Sequence, residues 1–190
     1  MSRLVSRLVS SLSDEPKSSN THQTITLRPS PKDKNLTLIH LAGHPLDAPP
    51  LYTVIAASDN VSVYRGNLAP VNLIGTADSS SITLHGQQVK VRSSQISGNL
   101  SLEWPTAGTL KWKPDMLTGS SLDLSDNFGR NLAKFKSTSM LKPSEKVIEI
   151  LVPCDEVFTA LVVLSGLAAK AATRKNMEAA SEIVQALAGT

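Results

Sequence analysis

A single cysteine, Cys154, in 190 residues leaves no disulfide framework and no site built from several cysteines, and makes a reducing compartment the simpler assumption. Aromatic residues are 4% of the chain, too few for the stacking platforms that hold single-stranded nucleic acid. Charge is sparse as well: the balance of +3 and the pI near 9.1 fall short of the clustered charge of a dedicated nucleic-acid binder. The apolar stretch Val157 to Ala169 is 13 residues long. As a helix it would measure about 20 Å, whereas a membrane span needs roughly 20 apolar residues. No G-x-S-x-G, P-loop, G-x-G-x-x-G or spaced carboxylate motif occurs. His40 and His44 have i, i+4 spacing, but Gly43 and Pro45 argue against a helix there and no Glu follows His40, so zinc ligation is not expected. These absences point to a non-enzymatic chain without metal or cofactor, with a hydrolase using Cys154 as the minor alternative.

What the chain does contain is a segment, Cys154 to Ala172, that carries no charge on any side from Val157 to Ala169. Asp155 and Glu156 precede that run, and Lys170, Arg174 and Lys175 follow it. Those charges suit the macrodipole of one helix over residues 155–172. A helix apolar all round must be enclosed or lie in lipid, and this one is short for lipid, so it is expected inside protein. An amphipathic second helix is expected over 176–188, where Met177, Ile183, Val184 and Leu187 share a face.

From Thr24 to Val152 the texture is short alternating runs between turn residues, the all-β pattern. Twelve runs can be marked, among them Val71 to Gly75, Gln88 to Arg92, Thr109 to Lys113, Asn131 to Lys136 and Lys146 to Val152. Each has one apolar side, and closing the strands into an antiparallel barrel buries those sides and removes exposed edges. Twelve strands enclose more space than their own side chains fill. The apolar helix, with Ala160, Ser165, Gly166, Ala168 and Ala169 permitting close approach, is the natural occupant. The expected fold is therefore mainly β with C-terminal helices, a closed barrel of about twelve strands around a central hydrophobic helix. Residues 1–23 carry a tandem SRLV repeat, basic and free of acid until Asp14. They read as a disordered or targeting tail, mitochondrial if it acts as a presequence, ahead of one domain over 24–190.

Three i, i+2 basic pairs point outward by the same alternation: Lys90 and Arg92, Lys111 and Lys113, Lys134 and Lys136. Residues 87–150 hold nine basic groups against six acidic, the most basic part of the chain. Strand count, helix position, LKWKP at Leu110 to Pro114 and SLDLSDNFGRNLAKFK at Ser121 to Lys136 resemble the tubby-like superfamily. That group includes the tubby C-terminal domain, the LURP-one-related proteins and the phospholipid scramblases, and the chain is also similar to its compact fungal members. The resemblance covers Thr24 to about Ala172 and implies the same twelve-stranded barrel around a helix. It also implies binding of anionic lipid head groups, since tubby domains hold phosphoinositides with a Lys-x-Arg pair that Lys90-Val91-Arg92 matches. The six basic residues are therefore the candidate lipid-binding site. A cytoplasmic monomer, peripheral to a membrane or acting as an adaptor, is the expectation. A protein-protein interaction module without lipid binding is the alternative.

Overall fold

Alternation decides which side of most strands is wet. Val89, Leu110, Trp112, Leu122, Leu124, Ile148 and Ile150 are buried, while Lys90, Lys113, Asp123 and Glu149 between or beside them are at least partly exposed. The computed structural model describes residues 22–57, 60–78, 80–94, 97–115, 121–137 and 145–188, the last twelve as backbone alone. The strands are β1 (Gln23–Pro29), β2 (Leu36–Leu41), β3 (Tyr52–Ala57), β4 (Asn60–Arg65), β5 (Leu73–Ala77) and β6 (Ile82–Leu84). They continue with β7 (Gln87–Ser93), β8 (Leu100–Trp104), β9 (Gly108–Pro114), β10 (Leu122–Ser125), β11 (Asn131–Ser137) and β12 (Lys146–Ile150). Each pairs antiparallel with its sequence neighbour, and β12 closes onto β1 through Gln23 opposite Ile150 and Leu27 opposite Lys146. The expected closed barrel of twelve strands is thus present.

Strands about 4.8 Å apart and tilted about 40° make a circle of radius roughly 12 Å. That is close to the distance of about 10 Å at which packed layers sit, so one helix fills the lumen. Helix α1 (Glu156–Ala188) does so with Ala160, Leu161, Val162, Val163, Leu164, Ala168 and Ala169, all buried. Its segment Glu156–Asn176 is long and apolar enough to cross a membrane, with mean hydropathy 1.4, yet 67% of its most apolar window is buried within the barrel. Asp155 caps it: Oδ1 accepts a hydrogen bond from the Phe158 amide at 2.7 Å.

Helix and wall fit by opposing large to small. A Cβ on Gly166 would lie 3.2 Å from Trp112 and 3.4 Å from Phe135, and Trp112 Nε1 donates to Ser165 Oγ at 2.9 Å. On another side the wall supplies the small residue, because a Cβ on Gly75 of β5 would lie 2.9 Å from Leu164 Cδ2. The β6–β7 hairpin turns through His85 (φ 49°) and Gly86 (φ 76°). Two positive φ angles in a two-residue loop match the twist of the flanking strands.

Four expectations need correction. The run Val71 to Gly75 begins as a strand only at Leu73, because Pro70–Asn72 forms a 3-10 turn with Pro70 at its start. The last strand ends at Ile150, not Val152. The tail expected over 1–23 gives up Gln23 to β1, and residues 1–21 lie outside the described residues. The accessory helix expected over 176–188 is not separate: α1 runs unbroken through it, with Thr173 Oγ1 bonded back to the Ala169 carbonyl at 2.9 Å and no Gly or Pro between Ala172 and Ala188 to stop it. Lys170, Arg174 and Lys175 therefore lie within the helix. Arg174 is roughly four turns from its C-terminus, out of reach of the macrodipole that seemed to explain it.

Candidate functional site

Antiparallel order fixes which connections share a rim. The helix enters at the upper rim, where the β2–β3, β4–β5, β6–β7, β8–β9 and β10–β11 connections lie. The six candidate cations stand on the outer wall of β7, β9 and β11. The strands between and beside them carry the carboxylates of Glu103 (β8), Asp123 (β10) and Glu149 (β12).

Cross-strand register pairs most of these charges. Lys90 lies opposite Glu103, with Nζ 3.2 Å from Oε2, and Arg92 reaches the same carboxylate at 3.8 Å. Lys134 lies between Asp123 and Glu149 and is 3.6 Å from Asp123, while Lys136 reaches Glu149 at 2.6 Å. All four are on a wet surface, where each pair contributes at most about 1 kcal/mol. Lys111 differs. Its register neighbours are Ser101 and Ser125, and beyond Ser101 on the same row stands Arg92. Neither Lys111 nor Lys113 forms an ion pair with a described residue. The six candidates thus form one strip five strands wide whose uncompensated charge is centred on β9.

The interleaved carboxylates were legible as outward residues, since Leu122-Asp123-Leu124 and Ile148-Glu149-Ile150 alternate as clearly as the basic strands do. That they neutralise specific lysines was not, because the register between strands is set by loop lengths and bulges.

Other chemistry-bearing residues are dispersed. Cys154 Sγ donates to Gln23 Oε1 at 3.2 Å and lies 3.5 Å from Thr159 Oγ1, so its partners among the described residues are an amide and a hydroxyl, neither of them a base. His40 is buried on the outer wall beneath the β2–β3 loop, with Nε2 3.1 Å from the Ala48 carbonyl. A carbonyl only accepts, so Nε2 carries the proton and Nδ1 is a bare lone pair. His44 is in the loop itself, where its carbonyl accepts from Arg28 at 3.3 Å. Among the described residues no three of His, Cys, Asp and Glu converge as a metal site would require. An open cleft of about 480 Å³ at the upper rim is lined by Gln88, Lys90, Glu103, Trp104, Pro105 and Thr109, and contains neither Cys154 nor His40.

The upper rim is also where apolar side chains are bare. Val71 and Phe128 are 90% and 89% exposed, with Leu68, Leu73 and Val157 beside the same openings and Leu46 on the loop that folds back over the wall. Around them the acidic groups Glu156 and Asp126 are held by Arg65 and Arg130.

Against known proteins, no family model matches the chain and no curated protein matches it. Among solved structures, an X-ray structure of a protein from Arabidopsis thaliana aligns over 76% of this chain and 91% of its own length. The identity is 14% and the TM-score 0.30, a likeness too slight to add to the barrel seen directly in the strand pairing.

Proposed function

We propose that the chain is a non-enzymatic barrel of the tubby-like type that binds anionic lipid head groups, phosphoinositides among them, through the outer wall of β7 to β11, as a cytoplasmic protein peripheral to a membrane. The observation that carries this reading is Lys111. It stands in a row with Arg92 and the hydroxyl of Ser101, with no carboxylate opposite it, in a strip where the other rows alternate in sign. A phosphate suits such a row, since lysine meets it as a point charge, arginine as a fork, and serine as a neutral donor. Each basic group near an anionic leaflet contributes about 1 kcal/mol. Lys111 contributes fully and Lys113, which lies opposite Asp123 in register without an ion pair to it, adds to it, whereas Lys90, Arg92, Lys134 and Lys136 must first loosen from Glu103, Asp123 and Glu149.

Co-sedimentation with phosphatidylcholine vesicles, with and without a phosphorylated phosphatidylinositol, tests this ranking. Lys111→Glu/Lys113→Glu should abolish phosphoinositide-dependent binding and Lys90→Glu/Arg92→Glu should only weaken it. Wild-type protein that ignores the phosphoinositide, or a Lys111→Glu/Lys113→Glu variant that still sediments, removes the reading. A second reading, a protein adaptor without lipid binding, is favoured by the bare apolar tips Val71 and Phe128 at the upper rim. It predicts vesicle-independent association that Val71→Ser/Phe128→Ser abolishes.

A further inference from the structure

The β7–β8 ladder stops short of the upper rim, and one residue accounts for it. The two-residue turn through His85 and Gly86 makes Leu84 and Gln87 exchange their main-chain bonds across β6 and β7. Main-chain direction alternates along a strand, so Gln88 and Lys90 face β8. Lys90 meets Glu103 there, and the residue that falls opposite Gln88 in the same register is Pro105, which has no N–H to give. Pairing ends at Lys90, and no described residue bonds to the Gln88 main-chain N–H or C=O. Instead β8 turns into β9 through Pro105, with Gly108 at φ 69°. The gap so opened is the cleft of about 480 Å³ between β7 and the β8–β9 hairpin. Small-molecule sites span about 300 to 1,000 Å³.

The lining is neutral and offers both donors and acceptors. Lys90 is matched by Glu103 at 3.2 Å, so a ligand with net charge gains little there. Trp104 continues the inward row of Leu100 and Leu102 but is only half-buried, packed on the core and lining the cleft. Trp112 donates its Nε1 to Ser165, whereas no described residue accepts from Trp104 Nε1. The Thr109 hydroxyl is exposed at the same opening. The main-chain nitrogen and oxygen of one extended residue lie about 3 Å apart, which is also the spacing of neighbouring hydroxyls on a sugar ring. A hydroxyl both gives and takes a hydrogen bond, so one can accept from the Gln88 N–H while the next donates to its C=O. We propose that the cleft binds a neutral sugar, with the C–H face of the ring on the Trp104 indole and its hydroxyls on the Gln88 main chain and Thr109. The site uses Lys90 only as the partner of Glu103, and it stands or falls independently of lipid binding by the β7–β11 wall.

The full chain carries two tryptophans, and Trp112 is 0% exposed, so a fluorescence change on adding ligand reports Trp104. Maltose, cellobiose and diacetylchitobiose are the probes. Glycerol, which has neighbouring hydroxyls but no ring face, is the control. At least one disaccharide should shift the tryptophan emission to saturation and shield it from acrylamide, and glycerol should do neither. In calorimetric titration with that disaccharide, Trp104→Leu should bind about tenfold or more weakly, because the ring face is lost. Thr109→Val should bind about threefold or more weakly, the loss of one hydrogen bond. Thr109 is exposed and tolerant of change, so this second variant carries the test if Trp104→Leu fails to fold. Saturation by none of the three disaccharides, an equal response to glycerol, or folded variants that bind as the wild type does overturns the site.

Discussion

Among the described residues, two buried side-chain atoms have no hydrogen-bond partner, Tyr52 Oη and His40 Nδ1, and the tyrosine yields a pH prediction. Tyr52 is 0% exposed, and burial pushes its phenol from 10.0 up to about 12, with the charge of Arg65 opposing and that of Cys154 adding. A tyrosine whose folded-state pKa exceeds its unfolded value contributes stability in full below pH 10, and that contribution disappears as pH rises from 10 through 12. Urea unfolding across this window should show wild type losing on the order of 2 kcal/mol more than Tyr52→Phe. Equal losses would mean the hydroxyl is not confined. Lys146 acts in the opposite sense, since its folded-state value is depressed: its penalty is present at low pH and is relieved as pH rises through that value. Both proteins share that effect, so it cancels in the comparison. At this scale the sequence was only half legible. Period two puts Tyr52 and Lys146 inside, but whether a buried polar tip finds a partner depends on neighbours more than a hundred residues away, such as those across the β1–β12 seam.

The central helix and the strands it touches show how an element is specified by the sizes of single residues. Gly75 lies where β5 meets both β6 and the helix, and a Cβ there would sit 2.4 Å from the Thr83 carbonyl oxygen and 2.9 Å from Leu164 Cδ2. Backbone must move, so Gly75→Ala should cost about 3 kcal/mol. Gly166 is different, because its added Cβ would meet Trp112 at 3.2 Å, a side chain able to give a little. Replacing glycine by alanine inside a helix also gains about 1 kcal/mol, so Gly166→Ala should stay within about 1 kcal/mol of wild type. Urea midpoints measure both, and similar losses in the two variants would contradict this packing. The helix core was legible from Val157 to Ala169 because no face carries charge. Its length was not: Lys170, Arg174 and Lys175 imitate a C-terminal turn, yet no residue after them breaks the helix before Ala188. The strands were legible through alternation and turn residues, and the misplaced start of β5 traces to Pro70, whose fixed φ suits a 3-10 turn as well as a strand edge.

Taken whole, the molecule is a cylinder closed by a pairing of distant segments, Gln23 with Ile150, around a helix that enters only after the last strand is laid. Such a topology is rich in non-local contacts and should fold slowly, in milliseconds to seconds. Because the lumen is occupied by the chain itself, ligands are left to the outer wall and the two rims, and the proposed head-group site on the β7–β11 wall follows from that exclusion. A carrier barrel that admits a small lipid would need the helix to move aside. Native-state hydrogen exchange of the helix amides decides between these directly. With the helix locked in place, the amides of Ala160 to Ala169 should be among the slowest in the protein and exchange only through global unfolding, with the same denaturant dependence as the β1–β12 seam. Exchange of those amides through a cheaper opening, while the seam stays protected, would show that the helix leaves an intact barrel and would contradict the assignment of function to the outside.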